Sequence, residues 1–149
     1  MQNDKLDPDD AFKTLLIIWF ALVMSQVIFV VMIYVVKPEL LHFDLARPAL
    51  GRTPVVVAAF TALALANLVM SFILPKRFLT QSVDRQDIGL VQTAMIIGCA
   101  ICESVSLFGV LLAFAFDYQY FFIFSAVGIL GTLLHFPRRG DVQAASFKL

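Results

Sequence analysis

The chain has 149 residues, of which 60% are hydrophobic and 15% charged, and its formal net charge is zero. So apolar a composition excludes an ordinary soluble domain. A neutral chain with no basic stripe interleaved with aromatics also lacks the electrostatic footprint of a nucleic-acid binder.

Charged residues crowd positions 1–13, 37–52, 75–87 and 138–148, and the stretches between them are the candidate membrane spans. Crossing a bilayer as a helix takes about 20 mostly apolar residues. The first stretch that qualifies is 14–36, stopped by Lys37 and Pro38, with Asp7 and Pro8 forming a cap and first-turn pair upstream. Its length and its polar, acidic leader argue against a cleaved signal peptide. The second is 54–74, opened by Thr53 as a cap with Pro54 at the first helical position. Pro75, Lys76 and Arg77 are expected to close it, leaving a loop over 75–87. The third is 88–116 and the fourth 118–136, separated only by the turn at 117–119. The expected fold is therefore an all-α membrane protein, a single membrane domain over 1–149 with four transmembrane helices forming two hairpins.

With four spans, Lys5, Lys13, Lys76, Arg77, Arg85, Arg138, Arg139 and Lys148 fall on one side, against Lys37, Arg47 and Arg52 on the other. The positive-inside rule then places both termini in the cytoplasm. The expected location is the bacterial inner (plasma) membrane. A shift of 79 positions aligns Thr14, Ile17, Ile18, Ala21, Ser25, Phe29 and Val31 with Thr93, Ile96, Ile97, Ala100, Ser104, Phe108 and Val110, the pattern of an internal duplication of spans one and three. In that alignment Met24 stands opposite Glu103.

Glu103 is the one acid in the middle of a span. A charge at the bilayer centre costs roughly 2.5–3.5 kcal/mol on insertion scales, so such residues face a partner, a cavity or an ion path. Burial there disfavours the carboxylate and favours a group that binds and releases an ion. Gly98, Cys102, Ser106, Gly109 and Ala113 form a stripe of small residues beside it, which lets another helix approach closely. Ser25, Gln26 and Asn67 are the candidate polar partners at helix interfaces, and a Glu103 with a purely structural role would be protonated and donate across helices to Asn67. On helix two, Ala58, Ala62, Ala64 and Ala66 give a small-residue surface for packing.

Cys99 and Cys102 have redox-motif spacing, but no strand precedes their helix as that motif requires. Zinc is not expected, because only these thiols and two distant histidines are available. His42 and His135 belong to opposite ends of the membrane, so they cannot clamp one haem iron. No nucleophile and base pair or phosphate loop appears, so the chain is not expected to be an enzyme or to hold a cofactor.

The stretch from Thr93 to Ala113, with Gly98, Ala100, Glu103 and Ser104 at its centre, resembles the ion-carrying helix of the proteolipid or c subunit family of rotary ATP synthases and vacuolar-type ATPases. Arg85 and Gln86 resemble that family's polar-loop pair, with Asp87 in place of its proline. Ala62, Ala64 and Ala66 resemble an alanine version of its glycine-rich first helix. The resemblance centres on residues 85–113. It implies that Glu103 carries the ion, that Ser104 is a coordinating hydroxyl, and that Arg85 and Gln86 are read by a cytoplasmic partner. Glu103 and Ser104 would also suit sodium; with Phe108 where a hydroxyl-bearing Tyr would help, the proton is the favoured ion. Large aromatics, among them Trp19, Phe20, Tyr120, Phe121, Phe122 and Phe124, depart from a close-packed rotor ring.

Two functions follow as expectations. One is a proteolipid-like, proton-translocating subunit within a larger complex. The other is an accessory or structural subunit in which the acid only hydrogen-bonds between helices. Both imply contacts with lipid and with other membrane subunits, in a homo- or hetero-oligomer.

Overall fold

The computed structural model describes residues 7–41, 48, 50, 51 and 53–146. Lys5, His42, Arg47, Arg52 and Lys148, used above for orientation or haem, lie outside the described residues. Within them the chain is helical, without strands: α1 Pro8–Val36, α2 Pro54–Arg85, α3 Ile88–Phe116, α4 Phe121–Leu134 and α5 Arg139–Ala144, with a short 3-10 turn at Pro38–Leu41. The first three are long and apolar enough to cross a membrane. The fourth has 14 residues, a rise of about 21 Å, shorter than the expected 118–136 span.

Helix ends follow local chemistry. The Asp7 carboxylate accepts from the Asp9 N–H at 3.1 Å, with Pro8 at the first helical position, so α1 begins where the cap pair predicts and six residues before the apolar run. Asp87 likewise caps α3 by accepting from the Gly89 N–H at 2.8 Å. Lys37, just past α1, donates to the Ala113 and Phe114 carbonyls, each at 3.2 Å, and pairs with Asp117. It thereby satisfies carbonyls in the last turn of α3 that have no helical donor and complements the dipole there.

The expected loop at 75–87 is not a loop. The second helix continues through Pro75 to Arg85, and only Gln86, with a left-handed φ of 51°, and Asp87 separate it from α3. Pro75 does remove a helical N–H. The helix survives because Pro75 and Ser82 are buried and Leu79 packs beside Leu15, Val91 and Met95, so tertiary contacts outweigh the local break.

The third helix is the centre of the fold, packing against α1, α2 and α4. Its buried positions include Gly98, Cys102, Ser106, Gly109 and Ala113, the small-residue stripe read from the sequence. On α2 the buried residues are Val57, Ala64, Ser71, Pro75 and Ser82, a seam advancing by sevens and fours. Ala58, Ala62 and Ala66, spaced by fours, share one exposed face, and only Ala64, two residues from its neighbours in that set and so on the opposite side, is buried. Close packing of α4 on α3 depends on glycine. A methyl group on Gly128 would sit 2.1 Å from Ser106 Oγ and 2.8 Å from the Cys102 carbonyl, and one on Gly131 would sit 2.7 Å from Cys102 Sγ.

The aromatics divide. Phe121 and Phe124 are buried, Phe20 and Phe122 are exposed, and Trp19 reaches across to donate to the Thr132 carbonyl at 2.9 Å.

Candidate functional site

The third helix presents one outward stripe, formed by Ile96, Ala100, Leu107, Leu111 and Phe114. Glu103 and Ser104 interrupt it half-way along the helix, and both are half-buried, because α1 flanks one side and α2 the other. The acid is therefore at the edge of the outward face, beside the buried small-residue stripe.

Ser25 Oγ lies 2.6 Å from Glu103 Oε1 and 2.8 Å from the Leu22 carbonyl oxygen. A hydroxyl has one proton and serves one acceptor at a time. When Glu103 is charged, Ser25 donates to it. When Ser25 donates to Leu22 instead, a protonated Glu103 can donate to Ser25 Oγ. Rotation of a single hydroxyl thus lets the pair accommodate both states of the acid.

Asn67 does not reach Glu103. Its Nδ2 donates to Ser104 Oγ at 2.8 Å, and that hydroxyl donates onward to the Ile101 carbonyl at 2.6 Å. Successive residues on a helix project about 100° apart, so Glu103 engages α1 while Ser104 engages α2. The structure brings Ser25 to Glu103 and Asn67 to Ser104, and keeps the two pairs on separate flanks.

Gln26 belongs to a different, fully buried network. Its Nε2 donates to Thr132 Oγ1 at 2.6 Å, Ser106 Oγ donates to its Oε1 at 2.7 Å, and Thr132 donates to the Gly128 carbonyl at 3.1 Å. Both ends of the amide are satisfied, and α1, α3 and α4 are fastened at one point. Arg85 ends α2 and is exposed, whereas Gln86 folds back to donate to the Val83 and Ala144 carbonyls at 2.8 and 3.3 Å.

A third cluster surrounds His135, which the sequence places at the end of helix four and which the expected site omits. Its Nε2 lies 2.8 Å from the Ser71 carbonyl oxygen, its Nδ1 2.7 Å from the Gly131 carbonyl oxygen, and its ring stacks on Phe72 at 4.8 Å between centroids. Ser71 is four residues before Pro75, so its carbonyl is the one that proline leaves without a helical donor. The histidine fills that vacancy. Gly98 makes room for it, since a methyl group there would sit 2.5 Å from His135 Cδ2. A proline in a long apolar run, whose orphaned carbonyl needs a donor, is the sequence signal that could have found this cluster; read as a terminator, Pro75 did not.

Cys99 and Cys102 are free and buried, and no group of three or more potential metal ligands occurs among the described residues. Compared with protein-family models, curated proteins and solved structures, the chain matches none.

Proposed function

We propose that the chain is an integral membrane subunit in which Glu103 takes up and releases a proton at mid-membrane within a larger complex. The observation that carries this reading is the Ser25 hydroxyl, within hydrogen-bond distance of both Glu103 Oε1 and the Leu22 carbonyl. That arrangement supports a carboxyl whose two protonation states are both accommodated without moving a helix. Placement at the edge of an outward apolar stripe supports access by a neighbouring subunit, which would supply and remove the proton.

In this reading α4 and its flanking residues complete a fourth crossing, both termini face the cytoplasm of a bacterial inner membrane, and exposed Arg85 is offered to a cytoplasmic partner. The likeness to proteolipid subunits over residues 85–113 supports the same assignment, with the α2 and α3 hairpin as its structural counterpart.

The rival reading is a non-catalytic accessory subunit. It is favoured by the bond from Asn67 to Ser104, which makes the row of polar groups at this level serviceable as fastening between helices.

A hydrophobic carbodiimide, which attacks buried protonated carboxyls, separates the two. The proton-carrier reading expects labelling of Glu103 that falls as pH rises, and loss of proton transport in Glu103→Gln with assembly intact. Absence of labelling in the folded protein, or full transport in the variant, would overturn it in favour of the accessory subunit.

A further inference from the structure

A cavity of about 230 Å³ opens where the ends of α2 and α4 meet the start of α3. Leu15, Phe72, Val91 and Met95 give it apolar walls, and Lys76, Arg138, His135 and Asp141 also line it. Lys76 and Arg138 are exposed, and neither has an ion-pair partner among the described residues.

His135 adds no free donor, since its ring nitrogens face the Gly131 and Ser71 carbonyl oxygens at 2.7 and 2.8 Å. Lys76 and Arg138 against the single carboxylate of Asp141 leave the lining net positive.

We propose that this cavity is a binding site for one anionic phospholipid, its phosphate held between Lys76 and Arg138 and one acyl chain laid along the apolar walls. The combination of an apolar wall with an unneutralised basic rim selects that ligand. A soluble phosphate has no use for the wall, and a zwitterionic headgroup brings its own cation to a rim that is already positive. The cavity lies at the end of the molecule that carries the α2 and α3 link and α5, where a spanning bundle meets the headgroup layer. The inference rests on the membrane reading and is independent of whether Glu103 carries protons.

The test uses the full-length chain purified in detergent. Phosphatidylglycerol and phosphatidylcholine of identical acyl chains are titrated, and retention is read by native mass spectrometry alongside the thermal midpoint. Phosphatidylglycerol should bind in preference, and Lys76→Gln with Arg138→Gln should weaken it by roughly fivefold for each basic side chain removed. A control pair, Lys13→Gln with Arg85→Gln, makes the same change in charge outside the cavity and should leave the preference unchanged. Arg138→Gln alone gives the same reading should the double variant fold poorly. Equal binding of the two lipids, or equal weakening in the control pair, would overturn the site. A midpoint raised as far by inorganic phosphate as by phosphatidylglycerol would overturn the lipid as its ligand. Glu103 labelling can succeed or fail in either case, so the two readings are separable.

Discussion

His135 Nε2 stands 2.8 Å from the Ser71 carbonyl oxygen, the acceptor that Pro75 strips of its helical donor. A kink-prone position in α2 is thus completed by a side chain contributed 64 residues later in the chain. The proline and the histidine meet at this one carbonyl oxygen.

That coupling is measurable by a double-mutant cycle. His135→Ala should cost about 1 kcal/mol in the parent, in line with hydrogen bonds inside membrane bundles. In a Pro75→Ala background the Ser71 carbonyl regains an N–H from its own helix, so the same substitution should cost measurably less. Unfolding in a denaturing detergent series reads both. Strict additivity of the two substitutions would show that they act separately.

The interior glycines should divide sharply from the exposed one. At Gly98 an added methyl meets His135 Cδ2 at 2.5 Å and Pro75 Cγ at 3.1 Å, and at Gly128 it meets Ser106 Oγ at 2.1 Å. Neither neighbour can yield easily, since the histidine is held at both nitrogens and the Cys102 carbonyl behind Ser106 is backbone. Gly98→Ala and Gly128→Ala should each destabilise by about 1–3 kcal/mol. Gly140 has nothing within 4 Å, so Gly140→Ala should be neutral or stabilising by up to about 1 kcal/mol. The comparison is made by thermal unfolding, and a similar response at all three positions would contradict the close packing of α4 on α3.

Gln26 should behave as a fastening rather than as an ion ligand. Gln26→Leu leaves Ser106 and Thr132 without their shared amide, and should lower stability by about 1 kcal/mol. Replacing all three with apolar residues, Gln26→Leu, Ser106→Ala and Thr132→Val, should cost less than the sum of the single changes, because no buried polar group is then left alone. Carbodiimide labelling of Glu103 should be unaffected in Gln26→Leu. A loss of labelling there would place Gln26 in the site of the acid after all.

Composition and local pattern carried much of this structure. The apolar runs located the three long helices, Asp7 with Pro8 marked the start of α1, and the stripe from Gly98 to Ala113 is buried as its spacing implies. Ser25, Gln26 and Asn67 were recognisable as interface residues, since a polar side chain in an apolar run must find a partner. Their partners were not recognisable. Asn67 looked suited to Glu103 and bonds to Ser104, because the choice depends on how far each helix is rotated about its axis. Pro75 looked like a terminator for the opposite reason: its local effect is unfavourable, and the contacts that offset it come from Leu15, Val91 and His135, all remote in sequence.

Hydrophobicity, caps and span length are properties of neighbouring residues, and the order of residues along the chain sets them. Which carbonyl His135 answers, which hydroxyl faces Glu103, and which amide joins three helices depend on contacts between positions 64, 78 and 106 residues apart. Helices pack by shape at glycines and small side chains, so the few degrees of rotation and fractions of an ångström that pair polar groups are set only when every helix is in place.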